Sequence, residues 1–111
     1  MALEVIELQE PNDIKKIERK NKILKFYTVY CGPCKQLTKE LENYSLDLDV
    51  TIISINGMNH RDLCAQYSIT AVPVLIFLDE SNNVLEKFIG GCTIESFQEM
   101  VKKHFMNKET N

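Results

Sequence analysis

Apolar positions fall along this chain with two periods, and each change of period marks an element. From Leu3 to Leu8 apolar residues alternate with acidic ones, the pattern of a half-buried strand, with Leu3, Val5 and Leu8 on one side. Pro11 suits the first turn of a helix that carries Ile14 and Ile17 inward. The same helix gathers Arg19, Lys20 and Lys22 toward its C-terminal end, where cations complement the helix dipole. Ile23 to Tyr30 follows as an apolar and aromatic run broken only by Lys25 and Thr28, which predicts a central strand covered on both faces. Leu37, Leu41 and Tyr44 then recur at helical spacing, while Lys35, Gln36, Lys39, Glu40 and Glu42 take the outer face.

Val50 to Ile55 reads as a second buried strand, closed by the turn dipeptide Asn56-Gly57, and Asn59 to Tyr67 as a short helix. Val72-Pro73 opens the apolar strand Val74 to Leu78. Ser81-Asn82-Asn83 then turns the chain into Val84 to Ile89, so these two strands form a hairpin. Thr93 is placed to cap a last helix whose Ile94, Phe97, Val101 and Phe105 make one apolar stripe, with Glu95 and Glu99 early and Lys102, Lys103 and Lys108 late. The order is β-α-β-α-β-α-β-β-α, an α/β sandwich whose mixed central sheet has five strands flanked by four helices. No internal repeat, low-complexity tract or linker interrupts it.

Residues 1–111 are enough for one domain with its own core, and 44% hydrophobic with 26% charged residues excludes a disordered or fibrous chain. The basic residues Lys15, Lys16, Arg19, Lys20, Lys22, Lys35, Lys39, Lys102 and Lys103 are interleaved with acids. The net charge is −3, so no nucleic acid is expected as a partner. The cluster from Lys15 to Lys22 reads as a solvated helix face and its end. The first residues lack the basic start and apolar core of a secretory signal, and no apolar stretch reaches membrane-spanning length. The expectation is a cytoplasmic, monomeric, reducing-compartment protein in which four cysteines serve catalysis or metal before structural bridges.

The chemistry concentrates at Cys31-Gly32-Pro33-Cys34, between the aromatic strand and the helix that follows. Two cysteines at this spacing on a strand-to-helix corner can close a disulfide with little backbone movement and so pass an electron pair. A working thiol must ionise near neutral pH although a free one has a pKa of about 8.5. Cys31, at the helix N-terminal edge, meets unpaired N–H groups and the positive end of the dipole, which makes it the attacking sulfur. Cys34, one turn in and less exposed, is the resolving sulfur. Gly32 lets a partner's backbone come close, and Pro33 loses nothing in a first turn where its N–H would be unpaired.

Phe26 to Lys35, the Ala71-Val72-Pro73 step about forty residues on, and Gly90-Gly91 before the last helix together make the whole chain resemble the thioredoxin family. The resemblance implies a thioredoxin-like sandwich and a protein disulfide oxidoreductase acting in cell redox homeostasis. It further implies that Pro73 is a cis-proline facing the site, that Val72 offers backbone hydrogen bonds to an extended substrate, and that Gly90 completes a shallow apolar groove with Tyr30. No cofactor would be bound. Electrons would come from NADPH through a flavin-dependent thioredoxin reductase, and disulfide-containing proteins would be the substrates.

Three positions depart from the family pattern. Tyr30 replaces the tryptophan before the first cysteine and keeps a flat apolar platform. Lys39 stands near the place of a kinking proline, which predicts a straighter helix. Lys25 stands six residues before Cys31, where the family has a buried aspartate that helps move the proton of the second thiol. A buried lysine tends to lose its charge, whereas one beside a thiolate stays protonated and lowers the sulfur's pKa. Lys25 is therefore read as tuning the pair, with resolution by Cys34 drawing on water or Lys25 and the Cys31 thiolate better stabilised.

Competing readings are weaker. A zinc site from Cys31, Cys34, Cys64 and Cys92 lacks the second tight pair such sites use. Cys64 and Cys92 read as packing residues, with a mixed disulfide at Cys92 the alternative. His60 and His104 read as surface histidines, outside any Cys-His hydrolase signature. A glutathione-linked, glutaredoxin-like reductase usually carries Cys-Pro-Tyr-Cys with Thr-Val-Pro, unlike this chain. A non-catalytic binding module of the same fold would keep its role without the cysteines.

Overall fold

The computed structural model describes residues 3–42 and 48–106. Five strands, β1 (Leu3–Glu7), β2 (Lys22–Tyr27), β3 (Val50–Asn56), β4 (Val74–Leu78) and β5 (Val84–Ile89), form one sheet in the order β1-β3-β2-β4-β5. The first three are parallel, and β4 runs antiparallel to both its neighbours, β2 and β5, so the sheet is mixed. Four helices join and follow the strands: α1 (Asp13–Lys16), α2 (Gly32–Glu42), α3 (Arg61–Gln66) and α4 (Ile94–Val101), the last running on into a π-helical turn, Lys102–Met106. Among the described residues no helix is long and apolar enough to cross a membrane.

The central strands are buried on both faces, which is why β2, β3 and β4 read as nearly continuous apolar runs. Alternate residues feed two cores. Ile23, Ile52, Leu75 and Phe77 pack against Leu37 and Leu41 of α2 and Phe97, Met100 and Val101 of α4. Leu24, Phe26, Ile53, Ile55 and Ile76 pack against Ile14 of α1 and Leu63 of α3. Each fully buried Leu, Ile or Phe contributes about 1.5–3 kcal/mol. Thr93 caps α4 by accepting from the Ser96 amide at 3.1 Å, as its position predicts.

Several expectations shift by a few residues for identifiable reasons. Leu8 lies past the end of β1 and enters the Phe26 core, whereas Leu3 packs on the opposite core and Val5 is exposed. β2 ends at Tyr27 rather than Tyr30. Tyr27 makes the last pair with β3, its carbonyl accepts from the Gly57 amide at 2.8 Å, and the Cys31 amide turns back onto the Thr28 carbonyl at 3.2 Å. The helix after Pro11 is a single turn that stops before Arg19 and Lys20. Lys22 is not solvated: it lies in β2 at 1% exposure, with its ammonium donating to the Glu80 carbonyl and the Asn82 side chain at the hairpin tip.

The histidines are not surface residues either. His60 is buried with Nε2 3.2 Å from the Leu8 carbonyl, and the mostly buried His104 meets Glu86 and packs near the Phe77 ring. The helical position assigned to Tyr44 lies outside the described residues.

Candidate active site

Cys31 closes the turn after β2, and Cys34 sits in the first turn of α2, so one corner of the fold holds both sulfurs. They are bonded to each other, with Cα atoms 5.2 Å apart. The Cys34 amide, one of the orphan donors at the helix start, points at the Cys31 sulfur from 3.1 Å. Such a donor and the helix dipole favour a thiolate at Cys31 once the bond is reduced. Cys34 is the more buried sulfur residue, at 2% against 9%. Gly32 and Pro33 are exposed between them, and a side chain at Gly32 would meet no atom within 4 Å.

The other predicted residues converge on this corner from β4 and β5. The Val72–Pro73 bond is cis, Pro73 is buried and Val72 half-buried. The Gly90 amide donates to the Pro73 carbonyl at 2.9 Å, and Gly90 takes a φ of +99° that a side chain would strain. Gly91 follows, where an added Cβ would lie 3.7 Å from the Pro33 Cβ. Tyr30, 84% exposed, and Ile89, 65% exposed, leave apolar surface bare immediately before Cys31 and immediately before Gly90.

Behind Cys34 lies a cavity of about 540 Å³, and Lys25 lines it together with Cys34; Cys31 does not. Strand register explains the lining. Glu7 of β1 pairs with Ser54 of β3, and Ser54 pairs with Lys25 of β2, so three polar residues form one row on the face covered by α2. Tyr27, two residues past Lys25, shares that face. Thr38, one helical turn after Cys34, overhangs the row from α2.

Lys25 is 4% exposed, donates to Thr38 Oγ1 at 2.6 Å and stands 5.0 Å from the Tyr27 ring centre. Burial pulls its pKa below the usual lysine value, with Glu7 opposing. The Tyr27 hydroxyl donates to Glu7 Oε2 at 2.6 Å, and burial followed by that bond pushes the phenol up to about 12.

Sequence reasoning singled out Lys25 but missed Glu7, Tyr27, Ser54 and Thr38. The i, i+4 relation of Cys34 to Thr38 and the i, i+2 relation of Lys25 to Tyr27 were available, but the Glu7–Ser54–Lys25 row depends on strand register. The helix itself runs from Gly32 through Lys39 to Glu42.

Cys64 and Cys92 are free, half-buried and packed against opposite cores, and burial raises both thiols' pKa, for Cys92 with help from Glu40. Among the described residues no group of three or more His, Cys, Asp and Glu side chains gathers to hold a metal.

A five-stranded mixed sheet with four helices, carrying a bonded Cys-x-x-Cys pair at a helix start and a cis-proline just before β4, defines a thiol–disulfide exchange domain. The family model described as thioredoxin matches residues 4–103, and the chain belongs to the thioredoxin family. It is 28% identical to thioredoxin-T of Drosophila melanogaster over 78% of this chain and 55% of that protein. It is 31% identical to a thioredoxin of Chlamydia trachomatis over 74% of this chain and 80% of that one. The chain thus spans about half the length of the fly relative and a quarter or less of other, longer curated relatives. A solved thioredoxin variant from Halobacterium salinarum NRC-1 superposes with a TM-score of 0.82 at 18% identity, covering 91% of this chain and 90% of that one, a likeness of fold.

Proposed function

We propose that this protein reduces disulfides in other proteins. Cys31 attacks the substrate disulfide, Cys34 displaces the resulting mixed disulfide, and the oxidised pair is returned to the dithiol by a reductase. The observation that carries this reading is the Cys31–Cys34 bond at the start of α2, with the more exposed cysteine facing a helix amide and the other more deeply buried. Val72, Pro73, Gly90, Gly32, Pro33 and Tyr30 form the rim against which an extended, partly apolar substrate segment lies.

The electron source is a flavoprotein of the thioredoxin-reductase kind drawing on NADPH, and no cofactor is bound by the chain itself. The compartment is the reducing cytoplasm, where a dithiol form of Cys31 and Cys34 is maintained. The protein acts as a monomer. Both edge strands support this, because β1 carries Glu4 and Glu7 and β5 carries Glu86 and Lys87, charges that discourage edge pairing.

Insulin reduction by the purified protein, fed by NADPH and a thioredoxin reductase, tests the reading. Turnover that requires both cysteines supports it. Turnover with glutathione alone at an equal rate would move the protein to a glutaredoxin-like role, and no turnover from either source would leave only a binding module.

A further inference from the structure

We infer that the cavity beneath α2 is a binding site for a small carboxylate with an apolar body, its charged end held against Lys25 and Ser54, and that the bound ligand restrains Cys34. The binding stands apart from the proposed function, whereas the effect on Cys34 rests on that reading. Size and shape come first. About 540 Å³ lies within the range of small-molecule sites. Of the residues that line the cavity, Lys25, Ser54 and Cys34 are buried, while Val5, Val29, Lys35 and Lys39 are exposed. A ligand entering from solvent therefore passes an apolar and cationic mouth and meets buried polar groups at the floor.

Charge comes second. Among the described residues Lys25 makes no ion pair, and Thr38 takes one of the three N–H donors its ammonium carries. A buried ammonium without a counter-charge is costly, so an anion brought beside it is favoured well beyond the same contact in water. Lys35 and Lys39 add cations from α2. The acid in the lining, Glu7, is exposed and accepts from the Tyr27 hydroxyl.

The shape of the anion follows from the strands. Ser54 of β3 pairs with Lys25 of β2, so a hydroxyl and an ammonium stand on one face, one strand spacing of about 4.8 Å apart. A carboxylate presents one oxygen to each. Val5, Tyr27 and Val29 supply apolar wall, which favours an aryl or short alkyl body over a compact inorganic anion.

Cys34 lines this cavity and Cys31 does not. Resolution needs Cys34 to advance on the mixed disulfide, and a ligand packed against its helix opposes that movement. The first attack, by Cys31, takes place outside the cavity.

Naphthoate is the probe, and naphthalenemethanol its uncharged match. Titrated into the oxidised native chain and followed by amide NMR, naphthoate gives saturable shifts centred on the cavity, with a Kd on the order of 1 mM or tighter. The alcohol binds at least about tenfold more weakly, the worth of one charged hydrogen bond. Lys25→Met lowers the affinity for naphthoate by at least about tenfold and leaves that for the alcohol within about twofold.

An aromatic disulfide that releases one coloured thiolate when Cys31 attacks and a second when Cys34 resolves reports the effect on Cys34 by stopped flow. Saturating naphthoate leaves the first release within about twofold and slows the second by about fivefold or more, the lower end of coupling between sites. In Lys25→Met the same concentration slows neither.

Shifts centred on Tyr30 and Ile89 instead of the cavity, equal binding of the alcohol, or unchanged affinity in folded Lys25→Met would each overturn the site. A second release unaffected at saturation would overturn the restraint on Cys34. No first release in the ligand-free native chain would instead overturn the proposed function, and the titration would still judge the site. Should Lys25→Met not fold, naphthoate against the alcohol on the native chain decides.

Discussion

Cys31 and Cys34 are three positions apart, yet their surroundings differ in kind. Around Cys31 the chain leaves apolar surface bare at Tyr30 and Ile89, puts positive-φ backbone at Gly90 and a cis bond at Pro73, and offers a helix amide. Around Cys34 the same sheet presents a lysine, a carboxylate, a phenol and a hydroxyl to a cavity beneath α2, and α2 adds the Thr38 hydroxyl. The first region suits recognition and an anion; the second suits moving a proton. A dithiol reaction needs both, because its two sulfurs must ionise at different moments, one before the substrate arrives and one after it is bound.

The largest effect separates the two sulfurs outright. Cys31→Ser brings insulin reduction to background, whereas Cys34→Ser stalls after one attack and accumulates a mixed disulfide, visible as added mass. Next in size is the packed end of the layer beneath α2. Phe97→Ala removes a fully buried ring that meets Phe77 and costs about 3–5 kcal/mol in a denaturant titration, while both coloured releases persist in the fraction still folded.

A smaller effect marks the cavity end of that layer. The folded-state pKa of Lys25 is lowered by burial, so the unfolded chain binds more protons between that value and the unfolded value of about 10.4. The native chain therefore gains stability as pH rises through this window. Lys25→Met, lacking the titration, is the more stable of the two at neutral pH, and its advantage shrinks toward alkaline pH. Thermal melts of both chains across that range check the sign, and an advantage that grows with pH would contradict it.

On the recognition side, Tyr30→Ala leaves stability within about 0.5 kcal/mol because the ring is 84% exposed. It raises KM for a protein substrate roughly 2- to 10-fold, the worth of about 0.5–1.5 kcal/mol of aromatic contact. Thr93→Ala, on the remote cap of α4, costs about 1 kcal/mol and leaves turnover unchanged.

The two regions were also unequally legible in the sequence. Residues on the recognition side announce themselves locally, because Cys31-Gly32-Pro33-Cys34, Val72-Pro73 and Gly90-Gly91 are short motifs between elements whose period is clear. The order of strands and helices was legible for the same reason. The polar row is not local: Glu7, Ser54 and Lys25 come from three strands and meet only through parallel register.

Lys22 and Lys25 show the limit of charge as a guide. Both were surrounded in sequence by features of solvent or strand interior, and both lie inside, one tied to a hairpin tip and one over a cavity. His60 and His104 went inside because a backbone carbonyl and a glutamate were waiting for their ring nitrogens.

The division of labour between the sulfurs is tested most directly by offering a disulfide-bonded peptide to the Cys34→Ser and Cys31→Ser chains and weighing the intact products. The account predicts a peptide adduct on Cys31 in the first and no adduct on Cys34 over the same time in the second. Adducts forming equally on both, or preferentially on Cys34, would contradict it.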